Sequence, residues 1–383
     1  MSLLSWIRRV RSANFRNDRL IAMSVVKNSS SGKSSSRLPF LDWTRGLAAV
    51  FMLQGHVFHS FTRNDLREGS HYVLSQFIGG LPPAIFLFLT GITLAFMMEK
   101  CERDCMPMSV RILTGLHRAG YLMMMAFLFR IQLWVFSWGQ NPWREIFRVD
   151  ILNCMGLAIA VFSVMAVFPI HERARLCIVL GIAVACASPL VSQLDWSGVP
   201  EIVKNYFAPN PNYFSFFPWA SYLAFGIGAG SILRLINREH LQSSMQWTTL
   251  IGLTVIVTTQ YFSNLPFSLY QKSDFWVDSP GLIFIKLGVT MVILAFAYVW
   301  METYGKAGWS WIKQLGSTSL LVYWVHIEIV YGRWLGKWKE HLDVNETVIL
   351  TVGIIGLMLL LSVGQSRWKN IQWRRAPQAA AAN

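Results

Sequence analysis

The chain has 383 residues, 54% of them hydrophobic and only 14% charged, and a net charge of +14. A water-soluble chain of this length carries roughly a quarter charged residues, so a string of soluble domains is excluded. The basic residues gather at the ends of apolar runs, a pattern that argues against nucleic acid as a partner and for a protein surrounded by membrane lipid.

In chain order, residues 1–38 come first, a flexible basic extension with Arg8, Arg9, Arg11, Arg16, Arg19, Lys27, Lys33 and Arg37 opposed only by Asp18. Its end, "NSSSGKSSSR", has linker composition, and no signal peptide is expected in it. Apolar runs of roughly 20 residues follow, the length that crosses about 30 Å of hydrocarbon. They lie near 41–62, 73–98, 117–138, 149–169, 175–194, 214–236, 245–263, 280–301, 315–332 and 346–364. The expected fold is an all-α polytopic bundle of about ten transmembrane helices over residues 39–366. A basic tail, residues 367–383, closes the chain with Arg367, Lys369, Arg374 and Arg375. With both tails cytoplasmic, the inner side carries more than twice as many Lys and Arg as the outer, as expected for a plasma or bacterial inner membrane. Oligomeric state is not legible; a homodimer is compatible with the sequence.

The first span, "LDWTRGLAAVFMLQGHVFHSF", carries Asp42, Arg45, His56 and His59. Ionisable groups at membrane depth are costly and mark function or a structural pair. Asp42 and Arg45 pair at i, i+3 near the inner surface. His56 stands three turns further on the same face, about 16 Å along the axis, with His59 one turn beyond. The second span opens on Gly79, Gly80, Pro82 and Pro83, a broken backbone that survives only where protein or a water-filled cavity satisfies it. His71 lies just before the break. Residues 100–117 are expected as a cytoplasmic loop or interfacial helix. The loops over 193–219, 264–281 and 331–346 face outward and are rich in aromatics, as a membrane-interface belt or a platform for sugar rings.

Deeper charges are Arg130, expected to pair with Asp150, and Lys286, which can snorkel outward. In the ninth span, Tyr323 and His326 are i, i+3 neighbours; they serve as interhelical hydrogen-bond groups, or His326 lines an acceptor pocket or orients a catalytic imidazole. Glu328 points to a different face. Five cysteines make no CxxC or His-rich pattern, and no metal site is expected.

"LDWTRGLAAVFMLQGH" followed by "PPAIFLFLTG" resembles the opening of the heparan-α-glucosaminide N-acetyltransferase catalytic domain and its bacterial relatives, within the transmembrane acyltransferases. "RVDILNCMGLAIAV", "FPWASYLAFGIGAG" and "LGSTSLLVYWVHIEIVYG" extend the likeness to about residue 335. The resemblance implies transfer of an acyl group, acetyl first, from cytoplasmic acyl-CoA to an amine or hydroxyl of an outside glycan. A histidine then serves as general base or acyl carrier. The heparan enzyme resembles this chain with Asn where His56 stands and an active histidine corresponding to His71, whereas polysaccharide O-acyltransferases keep the histidine of His56. Imidazole suits this role, being basic near neutrality. Arg45 and Arg118 are candidates to bind the donor's phosphates in forks. The competing expectation is a proton-coupled transporter using the His/Asp/Arg face as a relay. No internal repeat supports inverted-repeat architecture.

Overall fold

A computed structural model describes residues 38–380 except 138, 140, 141, 268, 306 and 307, with side chains through residue 369. The basic extension of residues 1–37 therefore lies outside the described residues. Among the described residues there are thirteen α-helices: α1 Pro39–Phe61, α2 Ser70–Gly79, α3 Pro82–Arg103, α4 Met108–Phe136, α5 Ile151–Phe162, α6 Ile170–Ser192, α7 Glu201–Phe207, α8 Phe216–Leu235, α9 Leu241–Ser263, α10 Pro280–Thr303, α11 Trp311–Ser317, α12 Ser319–Tyr331 and α13 Val344–Ala380. No strand occurs among the described residues; one isolated bridge joins Thr62 to Leu342.

Local chemistry explains several boundaries. Pro39 and Pro82 sit at the first turns of α1 and α3, where a missing N–H costs nothing. Asp150 and Asn153 form a reciprocal capping box that starts α5. The expected break in the second span is real: α2 stops at Gly79 and α3 starts at Pro82.

Among the described residues, seven helices are long and apolar enough to cross a membrane, with α2 and α3 taken as one. The expected ten is therefore not reached by length and apolarity. The shortfall has physical causes. α1 spans 23 residues but spends its length on Asp42, Arg45, His56 and His59. α9 also has 23 residues, with Gln, Ser and Thr diluting its apolar run. The ninth run is broken at Thr318 (φ −120°, ψ 23°) into α11 and α12. Residues 100–117, expected as a loop or an interfacial helix, are mostly helical: α3 continues to Arg103 and α4 begins at Met108, leaving a connection of 104–107. The last helix, α13, continues through residue 366 to Ala380.

Threading alternates, and charged side chains tie the helix ends together. At the Asp42 end, fully buried Arg173 of α6 pairs with Glu102 of α3 at 3.2 Å, and Arg111 of α4 lies 3.7 Å from the same carboxylate. Arg234 of α8 lies 3.7 Å from Glu99. At the His59 end, Arg130 of α4 pairs with Asp150 before α5, as expected. Lys286 does not snorkel: it is 9% exposed and lies over the Trp219 ring, 5.3 Å from its centroid.

Between these ends, close backbone approach replaces hydrophobic force, which is absent between apolar helices in lipid. α3 and α8 meet at Gly91 and Gly226, where a methyl on Gly226 would fall 3.0 Å from Gly91 Cα. The opposite case is α4, whose Tyr121, Met124, Leu128, Ile131, Val135 and Phe136 are exposed as a lipid-facing stripe. A methyl on Gly120 of the same helix would meet nothing within 4 Å. Gly226→Leu should therefore lower the thermal unfolding midpoint of the detergent-purified protein, since overpacking costs about 1–3 kcal/mol. Gly120→Ala should leave the midpoint unchanged or raised; equal behaviour of the two variants would refute the close-packed crossing.

Candidate functional site

The last turns of α1 are held from two sides. Against α2, Gly55 and Gly79 touch backbone to backbone: a methyl on Gly55 would lie 2.5 Å from Gly79 Cα. Gln76 Nε2 donates to the Gly55 carbonyl at 3.3 Å. Against α12, the Ser60 hydroxyl donates to the Val330 carbonyl at 3.0 Å. The loop after α12 returns to the same place. Glu340 N donates to Ser60 O, Leu342 N to Phe61 O and Arg63 N to Leu342 O, at 3.2, 3.0 and 3.0 Å. Only a glycine pair permits such an approach, and the next residue after Gly55 is His56.

His56 Nδ1 lies 2.9 Å from His326 Nε2, across 270 residues of sequence. The two rings stack at 5.2 Å between centroids and 16° between planes. His326 is fully buried, and its Nδ1 lies 2.7 Å from the Val322 carbonyl oxygen. A carbonyl only accepts, so Nδ1 of His326 carries a proton. In the neutral pair Nε2 of His326 then accepts, Nδ1 of His56 donates, and Nε2 of His56 bears a free lone pair. That nitrogen has no protein hydrogen-bond partner among the described residues. One backbone carbonyl thus fixes the tautomers of both imidazoles.

Aromatic rings wall the pair. Tyr331 meets His56 edge-on at 5.4 Å and lies 6.2 Å from His59, while Tyr323 meets His326 at 5.9 Å. Phe129 of α4 packs on Tyr323 and Trp324 at 5.4 and 5.3 Å, and Trp324 Nε1 donates to Gln132 Oε1 at 2.5 Å. Beyond Tyr331 opens a cavity of about 330 Å³ whose lining includes Arg130, Arg148, Glu328, Tyr331 and Lys339.

The expected residues thus divide into groups. His56, Tyr323 and His326 come together, with His59 exposed beside Tyr331. His71 is exposed on the first turn of α2, with no hydrogen bond or ring contact to the pair among the described residues. At the opposite end, Arg45 pairs with Asp42 at 3.1 Å. Arg118 of α4 donates to Thr93 Oγ1 of α3 at 3.1 Å and lies near enough to Arg45 for the two cations to interact. The face of α1 between these clusters is not polar throughout. Ala49 and Met52, both buried, separate Arg45 from His56 on the same stripe. No group of three potential metal ligands occurs among the described residues. Tyr331 and the cavity behind it were missed by sequence reasoning, although a tyrosine before Gly332, at the end of the helix bearing His326, was a usable signal.

A family described as heparan-alpha-glucosaminide N-acetyltransferase, catalytic, matches residues 37–270, from α1 into the connection after α9. His56, His59, His71 and Arg118 fall inside the match, whereas His326 and Tyr331 lie beyond it. No curated protein matches the chain significantly. The matched stretch is more than half of the chain, and its helices carry a paired imidazole at one end and arginines at the other. The protein accordingly belongs to the heparan-alpha-glucosaminide N-acetyltransferase catalytic family, as a membrane acetyltransferase.

Proposed function

We propose that the protein moves an acetyl group from cytoplasmic acetyl-CoA to an amine or hydroxyl of an extracytoplasmic saccharide, with His56 as general base. The observation that carries this reading is the His56–His326 pair, which presents an unprotonated imidazole nitrogen inside the bundle. Both termini face the cytoplasm of a plasma or bacterial inner membrane in this reading, supported by the bias of basic residues. The His59 end then faces outward.

Acetyl-CoA supplies an acyl group activated as a thioester. Arg45 and Arg118, both toward the Asp42 end, suit its phosphates, since guanidinium binds such oxygens in forks. Between that end and His56 the same face of α1 carries Ala49 and Met52, both buried.

At the outer end, Nε2 of His56 takes the proton of the attacking N–H or O–H as the nucleophile bonds to the acyl carbon. Positive charge appears on His56, and the hydrogen bond from its Nδ1 to His326 Nε2 delocalises that charge toward the Val322 carbonyl. The proton then passes to the leaving thiolate, which balances the exchange. His326 acts here as a positioning residue, and Tyr323 and Tyr331 keep both rings in place. His71, exposed on α2, fits contact with the acceptor better than proton transfer.

Transfer from labelled acetyl-CoA to a panel of amino sugars and polysaccharides tests the assignment. His56→Ala should lower kcat by about 10²–10⁴-fold while the protein still purifies as a folded species, because general-base contributions have that size. His326→Leu should cost roughly tenfold to a hundredfold, with His326→Gln keeping more activity because its amide oxygen can still accept. A loss confined to His71→Ala would overturn the choice of base. Arg118→Ala should raise KM for acetyl-CoA by about tenfold with kcat little changed. Solute movement into vesicles without any acyl donor, and no labelled product, would favour a proton-coupled permease instead.

A further inference from the structure

The cavity behind Tyr331 has a composition that an uncharged sugar does not require. Four cations line it, Arg130, Arg148, Arg333 and Lys339, against two carboxylates, Glu145 and Glu328. Arg130 is engaged by Asp150, and Arg148 lies 3.5 Å from Glu145. Arg333 and Lys339 have no carboxylate partner among the described residues, and Lys339 Nζ donates only to the Tyr331 carbonyl, at 2.9 Å. Arg130 Nε is buried without a hydrogen-bond partner. With Asp150 counted beside Glu145 and Glu328, four cations face three carboxylates, so the cluster keeps one net positive charge that an anion completes.

The second feature is where the cavity opens. One wall is Leu133, Trp134 and Phe136, the last turn of α4. The same helix turns an exposed apolar stripe to lipid through Leu128, Ile131, Val135 and Phe136. The opposite wall, Gly332, Arg333 and Lys339, belongs to the loop after α12, with Arg333 exposed and Gly332 and Lys339 half-buried. A ligand confined to water has no use for the α4 wall, and an uncharged lipid has none for the cations.

We propose that this cavity receives the phosphate or diphosphate of a lipid-linked saccharide, which enters sideways from the outer leaflet with its chain along α4 and its sugar toward His56. A phosphate that joins a lipid to a sugar is a diester with one negative charge and two free acceptor oxygens, which matches the one net positive charge left by the lining and Asp150. Tyr331, shared between the cavity and the His56 ring, places the sugar attached to that phosphate beside the base. The proposal rests on the acetyltransferase reading and on its orientation, and deepens it by naming how the acceptor is carried.

Detergent-purified full-length protein is titrated calorimetrically, without acyl donor, with farnesyl phosphate, inorganic phosphate and farnesol. Farnesyl phosphate should bind at least about tenfold tighter than either of the others, and R333E/K339E should weaken it by about tenfold or more, as loss of charged hydrogen bonds implies. R333K/K339R should retain binding, and if R333E/K339E does not fold, the single R333Q variant should weaken binding by about threefold. Equal affinity for inorganic phosphate would mean a soluble anionic acceptor and overturn the lipid assignment. Equal affinity for farnesol, no binding, or undiminished binding in R333E/K339E would overturn the phosphate site. Because binding is read apart from transfer, these failures leave the acetyltransferase reading standing. Failure of that reading would appear instead as no His56-dependent transfer from acetyl-CoA.

Discussion

A ring nitrogen turned into a packed bundle has no water to bond to, so its hydrogen bond must come from the protein. His56 meets that demand with another histidine, and His326 meets it with the carbonyl of Val322. This short chain of two imidazoles and one peptide group has one neutral arrangement of protons. Almost everything near the His59 end can be read as the scaffolding that holds it. The Gly55–Gly79 contact sets the height and rotation of α1, Ser60 joins α1 to α12, and Trp324 and Phe129 pin α12 to α4.

The Asp42 end is organised by the same demand with different groups. Two glutamates at the end of α3 are shared among arginines of α4, α6 and α8. Buried ion pairs of this kind contribute little net stability against an apolar alternative, but breaking one leaves an uncompensated charge. They therefore serve better to specify which helix ends meet than to strengthen the bundle. Apolar packing and glycine crossings fill the middle, and on α1 this places Ala49 and Met52 between the two polar clusters.

Much of this was legible in the sequence where it depended on neighbours along the chain. The Asp42–Arg45 pair, the break at Gly79–Pro82 and the Arg130–Asp150 pair follow from spacing, proline chemistry and the cost of isolated charge. The histidine pair was legible only as one alternative for His326, orienting a catalytic imidazole, because periodicity within one helix does not single out a partner 270 residues away. The break at Thr318 was equally silent. It depends on Gln314 and Thr318 finding Ser362 on α13, and on Gly316 meeting α1. Hydropathy reads the run through that break as one span, while reading α1 as weaker than it is, since it scores each side chain without its partner.

The return of the loop after α12 to the end of α1 has a further bearing. Backbone bonds at Ser60, Phe61 and Arg63 fasten residues 340–342 to α1 directly, and Lys339 and Arg333 stand in the same short segment. The rim of the cavity and the helix that carries His56 are therefore one mechanical piece. A bilayer that thickens or thins tilts its helices, but this piece tilts as a whole, so the separation between rim and imidazole is buffered against changes in lipid composition.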